Sequence, residues 1–437
     1  MSSPRAGIAS LLTANGVSMA GTSMSFLAVP WFVLVSTGSA VMTGLLAFAE
    51  MLPYVLVQGL GGPLIDRIGA RRMSVATDLA AAVAMGSVPF FHAAELLSLP
   101  TLVAAVAIAG ASRGAGDTAR EVLLPQVAGP ARLPLDRASG LYDGIHRLAG
   151  LVGAPAAGIL IAATSAPAVL AVDSATFAIS AALIAAFVPV AGRAGSGEKA
   201  GGGSYAEKLR AGFAHLRQDR LLVAIAAMIV VTNLLDQAYA SVLLPVWVRT
   251  ELDSPVALGT LSAVFGVGAV AGNALMAWVG PRLPRRLPFA ISFLVCGAPR
   301  FIALALASSL APVLAVALAS GLGAGGLNPA LGAVEYERVP RQLQARVLGA
   351  LGALAWAGIP FGSLVGGGLA GPVGLRPALL ACGAAYFLAT LAPFVFPVWR
   401  RMERGARPGA EEEAATPPGP GSARGETMCE RNSGTPH

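Results

Sequence analysis

The chain has 437 residues, of which 55% are hydrophobic and 12% charged, with a formal net charge of +7. A soluble domain carries about a quarter charged residues, and a hydrocarbon environment excludes charge, so the composition describes a polytopic membrane protein. The positive balance does not point to nucleic acid, because the basic residues sit in loops between apolar runs rather than on one face of a folded domain. Three cysteines, Cys296 and Cys382 in apolar runs and Cys429 in the tail, have no spacing suited to a disulfide framework or a zinc site.

A membrane-crossing helix takes about 20 mostly apolar residues. About twelve such runs are predicted, at roughly 8–35, 40–61, 73–94, 99–124, 140–163, 167–190, 221–248, 256–279, 287–308, 312–336, 346–369 and 375–398. The first is too long for a signal-peptide core, and no small-residue cleavage site follows it. Gly and Ala are abundant within the runs, where they allow close helix approach in a membrane. Pro30, Pro53, Pro155 and Pro360 are tolerated there, often as kinks.

Alternate connections carry the basic residues: Arg67, Arg71 and Arg72; Arg132 and Arg137; Arg193 through Arg220; Arg282, Arg285 and Arg286; Arg338, Arg341 and Arg346; and Arg400 to Arg407 in the tail. The other connections are nearly bare, which predicts that both termini lie in the cytoplasm. The longest connection divides the chain into a six-span half at 1–190, a linker at 191–220, a second six-span half at 221–400 and a tail at 401–437. Gly195 to Ser204 is composed as a flexible tether. After it, Tyr205, Leu209, Phe213 and Leu216 share one face of a helix predicted to lie on the inner membrane surface. The tail is composed as a disordered segment. The halves are weakly self-similar: Pro130-x-x-Leu133 recurs as Pro340-x-x-Leu343, and Leu64–Arg72 lies over Trp278–Arg286, with Gly280 opposite Asp66. Such repeats imply a binding site between the halves near mid-membrane.

The loop after the second run reads Gly62-x-x-x-Asp66-Arg67-x-Gly69-x-Arg71-Arg72. It resembles the signature of the major facilitator superfamily, departing only in Ala70. Ala28-Val29-Pro30, Thr37-Gly38-Ser39-Ala40, Leu52-Pro53, Leu124-Pro125 and Asp173-x-x-Thr176-Phe177 resemble its drug, macrolide and siderophore efflux branch. Gly150, Gly153, Pro155 and Gly158 in the fifth run are similar to the superfamily's antiporter signature, with Ala154 and Ile159 as departures and a partial echo at Gly358 to Gly362. Ordinary small-residue packing is the other reading of that stretch. The resemblance implies an all-α fold of about twelve spans in two pseudo-symmetric six-helix bundles. It implies that Asp66 helps hold the halves closed on the cytoplasmic side, facing the amino end of span 11 near Arg346 to Gly349. A role in topology alone is the other reading of the loop.

A charge at the centre of a span costs about 2.5–3.5 kcal/mol. Asp236, within Thr232 to Gln237, is therefore a candidate for proton or substrate handling, or else a structural acid bonded to Asn233, Gln237 or a neighbouring helix. Glu50 is either a cation or proton site or the partner of Arg113. Arg113, Asp117 and Arg120 share a helix face, so Arg113 either handles protons, as the resemblance implies, or pairs with Asp117. Arg300, in span 9 or nearer its outer half, either serves an anionic group or snorkels. Asp143, His146 and Arg147 are expected in the first turns of span 5, and Glu335 and Glu337 beside Arg338, Arg341 or Arg346. By depth alone the cavity candidates are Met24, Phe26, Trp31, Glu50, Tyr54, Asp236, Tyr239 and Trp356.

These features and the resemblance together favour a plasma-membrane exporter of small amphipathic compounds, driven by proton antiport through alternating access. Its partners would be the bilayer, a small-molecule substrate and protons. A proton-coupled importer or facilitator and a non-transporting membrane binding protein are the alternatives. No nucleotide loop, metal cluster or nucleophile–base arrangement indicates an enzyme or a cofactor. Oligomeric state is open.

Overall fold

The computed structural model of the chain describes residues 4–189, 205–339 and 343–403. The tether Gly195 to Ser204, the tail beyond 403 and Pro340 of the repeat lie outside the described residues, and of the linker helix's apolar face only Phe213 and Leu216 have described side chains. The helices are α1 (Pro4–Thr37), α2 (Ala40–Leu60), α3 (Gly62–Ile68), α4 (Ala70–Ala93), α5 (Leu99–Ala128), α6 (Leu135–Ala163), α7 (Ala166–Phe187), α8 (Tyr205–Leu216) and α9 (Arg220–Ala238). They continue with α10 (Leu244–Trp247), α11 (Pro255–Val279), α12 (Arg286–Cys296), α13 (Ala298–Leu306), α14 (Leu310–Gly325), α15 (Leu327–Arg338), α16 (Gln344–Ala357), α17 (Ile359–Ala370) and α18 (Leu375–Val395). No strand occurs among the described residues.

Among the described residues, eleven helical segments are long and apolar enough to cross a membrane. The tenth predicted run is divided at Gly326, leaving the 16 apolar residues of α14 continued by the more polar α15. Glycine also divides the ninth run at Gly297 and the eleventh at Gly358. The seventh run, Arg220–Leu252, stays continuous through two π-helical turns, Tyr239–Leu243 and Val248–Leu252, on either side of α10. Pro30, Pro53 and Pro155 sit inside unbroken helices, whereas Pro360 follows the break at Gly358.

Serine starts many of the helices at the bare-loop end. Ser39, Ser98, Ser165 and Ser254 each accept a hydrogen bond from a first-turn backbone amide of α2, α5, α7 and α11. Such caps satisfy amides that would otherwise lack partners. At the arginine-rich end Asp219 does the same for Leu221 and Leu222 of α9. Helix α8 packs on α16, where a Cβ on Gly212 would fall 2.2 Å from the Arg346 carbonyl oxygen.

Helices α1, α2, α4, α5, α6 and α7 pack on one another, and α9 to α18 form a second group. The groups meet along α2–α17 and α6–α11. Both seams close at the bare-loop end. A Cβ on Gly44 would fall 2.4 Å from the Ser363 carbonyl oxygen, and one on Gly158 2.5 Å from that of Pro255. At the arginine-rich end Gly59, Gly62, Gly140, Gly144, Gly349 and Gly352 face open space. The halves thus diverge toward the basic loops.

Candidate functional site

Between the halves lies a cavity of about 280 Å³. The first half contributes Ser23, Phe26, Thr43, Glu50 and Met51, and the second Gln237, Ser241, Leu244, Leu258 and Ser262. Glu50 is the only ionisable side chain among the lining residues. Mostly apolar walls with a few fixed polar groups suit a small amphipathic ligand.

Glu50 pairs with Arg113 at 2.5 Å, and the guanidinium lies 4.6 Å from the Phe26 ring centroid and 5.4 Å from that of Tyr54. The alternative pairing of Arg113 with Asp117 does not occur. Asp117 turns to Arg120 at 3.0 Å and accepts the Tyr54 hydroxyl at 3.3 Å, because α2 packs its carboxylate against Arg113 instead.

Asp236 pairs with Arg300 across α9 and α13. Arg300 does not snorkel: it is 8% exposed and lies over Tyr239 at 4.6 Å, with Phe301 and Tyr386 beside it. The break at Gly297 starts α13 inside the bundle, and a Cβ there would collide with the Tyr386 ring. The amides beside Asp236 bond elsewhere, Asn233 to the Ala355 carbonyl and Gln237 to the Ser363 hydroxyl.

Of the remaining cavity candidates, only Phe26 lines the cavity alongside Glu50. Trp31 is 5% exposed within a buried cluster that runs through both halves, and Met24 packs against that cluster. Tyr54 and Trp356 meet across the halves with ring centroids 5.8 Å apart, and Tyr239 packs on Phe301 at 5.1 Å.

In the basic turn, Pro63 opens α3, and Gly69 takes φ of 92°, a left-handed conformation that an L side chain would strain. Arg71 donates to the Ala185 carbonyl of α7. Gly62, Asp66, Arg67 and Arg72 are exposed, and Asp66 has no hydrogen-bond or ion-pair partner among the described residues. Its expected position opposite the start of α16 is not the one observed, because the halves are parted at this end.

The antiporter-like stretch lies where three helices converge. A Cβ on Gly153 would fall 2.7 Å from the Ala20 carbonyl oxygen of α1, while Gly158 and Pro155 lie against α11. Gly150 has only an ordinary contact with Ser23. Span 5 starts five residues earlier than predicted, so Asp143 lies more than two turns inside α6 and the first-turn acid is Asp136. Of the partners expected for the acids that end span 10, Arg341 lies outside the described residues, and Glu337 makes a further pairing. It binds Arg285 through two hydrogen bonds that hold the Arg285 pKa above its ordinary range, while Arg338 binds Asp219 at 2.8 Å.

Two buried acids were not among the candidate site residues, Asp173 having entered only within the Asp173-x-x-Thr176-Phe177 stretch. Asp78 on α4 is 2% exposed, pairs with Arg120 and accepts the Ser180 hydroxyl at 2.7 Å. Asp173 on α7 is 1% exposed and accepts the Ser25 hydroxyl at 2.5 Å. Each lies in an apolar run, so the rule that singled out Asp236 applied to them equally. Among the described residues, no group of three His, Cys, Asp or Glu side chains is placed to hold a metal ion.

The chain is 29% identical over 399 residues to the multidrug efflux pump Tap of Mycobacterium bovis, covering 90% of this chain and 94% of that protein. It is 27% identical over 396 residues to the Tap pump of Mycolicibacterium fortuitum, covering 89% and 95%. In fold it is similar to the nucleoside transporter NupG, with TM-score 0.71, 12% identity and coverage of 89% and 99%. It is also similar to a bacterial homologue of the iron transporter ferroportin in an inward-facing state, with TM-score 0.66, 17% identity and coverage of 89% and 97%. The Major Facilitator Superfamily profile matches residues 11–237 and 226–427. With the helical fold and its apolar spans, this makes the chain a multi-pass membrane transporter belonging to the Major Facilitator Superfamily.

Proposed function

We propose that the chain is a proton-coupled exporter of small amphipathic compounds in the plasma membrane, with both termini and the arginine-rich loops in the cytoplasm. The two six-helix halves, 1–190 and 221–400, would rock about the seams α2–α17 and α6–α11, with Gly150, Gly153, Pro155 and Gly158 giving α6 its narrow face. Asp66 and its basic turn would latch the cytoplasmic end when that end closes. The Tap relatives, which are multidrug efflux pumps, support the direction and the substrate class.

The observation that carries the proton coupling is the Asp236–Arg300 pair, one residue from the cavity-lining Gln237. A protonated Asp236 cannot pair with Arg300, so proton uptake leaves a positive charge beside the cavity, and proton release restores a neutral wall that accepts substrate. Proton and substrate thereby exclude each other at one site, as antiport requires. Glu50 and Arg113 supply the facing wall, with Asp117 next along the face of α5.

The test uses everted vesicles carrying the protein, energised so that the lumen is acidic, with a lumenal pH dye and hydrophobic drugs added one at a time. Drug-dependent loss of the gradient, absent in Asp236→Asn at equal expression, is the expected result. Wild-type loss in Asp236→Asn would remove Asp236 from the mechanism, and no response to any drug in the wild type would remove proton antiport.

A further inference from the structure

Helices α1 and α7 face each other with matched polar side chains. On α1 they are Ser18, Thr22 and Ser25, at spacings of four and three. On α7, which runs the other way, they are Ser180, Thr176 and Asp173, also at spacings of four and three. All except Thr176 are at most 4% exposed. An antiparallel helix pair brings such positions together as three successive rungs. Gly21 allows the close approach, since a Cβ there would fall 2.0 Å from the Thr176 hydroxyl oxygen and 2.4 Å from Asp173 Oδ1.

Hydrogen bonds tie together each end of the ladder, and among the described residues none crosses the middle rung of Thr22 and Thr176, which is left for water to bridge. At the outer rung Ser25 donates to Asp173 at 2.5 Å, and the Thr176 hydroxyl donates to the Asp173 main-chain carbonyl at 2.7 Å, with Asp173 Oδ1 3.3 Å away. At the inner rung Ser180 donates to Asp78 at 2.7 Å, and Arg120 joins Asp78, the Ser18 hydroxyl at 3.2 Å and Asp117 at 3.0 Å. Asp117 is 28% exposed, so this end reaches toward the arginine-rich side. The other end lies one layer behind the cavity wall: Ser25 precedes the lining residue Phe26, and the charges of Arg113 and Glu50 reach Asp173.

Two features do not fit a purely structural polar seam. Asp173 has no basic hydrogen-bond partner among the described residues, and an ionised carboxylate without one is costly in a dry interior. At the inner rung Asn15 Nδ2, Ser74 Oγ and Arg120 Nε are buried without partners. Asn15 lies three residues before Ser18, and Ser74 four before Asp78, so both share the faces that form the rung. Orphaned polar atoms of this kind mark sites for buried water.

We propose that this ladder is a water-bridged proton path, running from Asp173 behind the cavity to Asp78 and Asp117 at the cytoplasmic end, separate from the substrate route. It rests on the proton-coupled reading above. Each step passes one proton from a carboxylic acid or water to the next oxygen, which hands its own proton onward, so only the travelling charge moves. The proton released before substrate enters can then leave through the first half, without sharing the route by which substrate arrives.

The test reads the proton on Asp173 directly. Purified protein in detergent is titrated in an infrared cell, following the carbonyl stretch of protonated carboxylic acids and its shift on exchange into heavy water. Asp173→Asn removes a titrating band, and Ser180→Ala, which touches Asp78 and not Asp173, slows exchange of that band by about tenfold, the effect of removing one hydrogen-bonded link. Should Asp173→Asn fail to fold, Ser25→Ala shifts the same band by removing its shortest hydrogen bond. A band unmoved in both Asp173→Asn and Ser25→Ala overturns the proposal, as does wild-type exchange in Ser180→Ala. Normal drug-driven antiport beside either result sinks the ladder alone, whereas absence of antiport in the wild type sinks the coupled reading itself.

Discussion

Gly367 and Gly368 are neighbours on α17 with opposite surroundings. A Cβ on Gly367 would fall 2.7 Å from the Ala40 carbonyl oxygen and 3.2 Å from the Gly44 Cα of the other half. A Cβ on Gly368 would meet nothing within 4 Å. Ordinary contact begins at 3.4 Å, so Gly367→Ala forces α2 and α17 apart by about 0.7 Å, a gap that forfeits a quarter to a half of each lost dispersion contact. Overpacking of this kind costs about 1–3 kcal/mol. The cost falls only on the state in which the bare-loop end is sealed, so the equilibrium between the two open states shifts by roughly 5- to 150-fold toward opening at that end. Spin labels on the Ser39 and Gly371 turns, read by pulsed electron resonance, should show a longer distance in Gly367→Ala and none in Gly368→Ala. Drug transport should fall in the first variant alone. Equal distance distributions in both variants would refute the view that the seam is held by backbone contact.

Other outcomes follow from the buried networks. Arg120→Met leaves Asp78 and Asp117 without their shared cation and should cost about 3–5 kcal/mol in thermal stability, with much of it recovered in Arg120→Met combined with Asp78→Asn. An unchanged melting temperature in the single variant would count against the network. Trp399 follows α18, is 1% exposed and lies 5.9 Å from the Phe289 ring. Trp399→Ala should cost about 3–5 kcal/mol of second-half stability, seen as earlier aggregation on heating. A wild-type profile would show that this terminal turn does not hold the bundle.

The spans were legible because a dozen apolar runs outlast any soluble core helix, and the basic turn because its Gly69 occupies a conformation that L side chains resist. Pairing was less legible. Asp236 announces itself as an acid in an apolar run, yet its partner Arg300 lies 64 residues on and reaches it only because Gly297 interrupts the ninth span. For Arg113 the sequence offers two partners, Glu50 and Asp117, and only the packing of α2 on α5 decides for Glu50. Depth alone placed Trp31 in the cavity, whereas Trp31 is buried in the packed core and does not line the cavity. Facing direction around a helix depends on which neighbours pack against it, and those contacts join residues far apart in sequence.

The two ends of the transporter close by different forces. At the bare-loop end the seams are glycine backbones in contact, a short-range interaction that dissolved salt leaves alone. At the arginine-rich end the proposed latch is electrostatic, with Asp66 attracted to the amino end of α16, an interaction of about 0.3–1 kcal/mol when exposed. The screening length falls from about 8 Å at physiological salt to about 3 Å at 1 M. Raising salt should therefore favour the state open at the arginine-rich end, by up to about fivefold for a latch of that strength. Gly349 faces open space there, so Gly349→Cys with Cys429→Ser reports that state through labelling by an uncharged maleimide. Labelling should accelerate with salt. Asp66→Asn should begin at the faster rate and lose the salt dependence. If Asp66→Asn keeps the wild-type salt slope, the attraction that closes this end comes from the arginines of the turn and not from its acid.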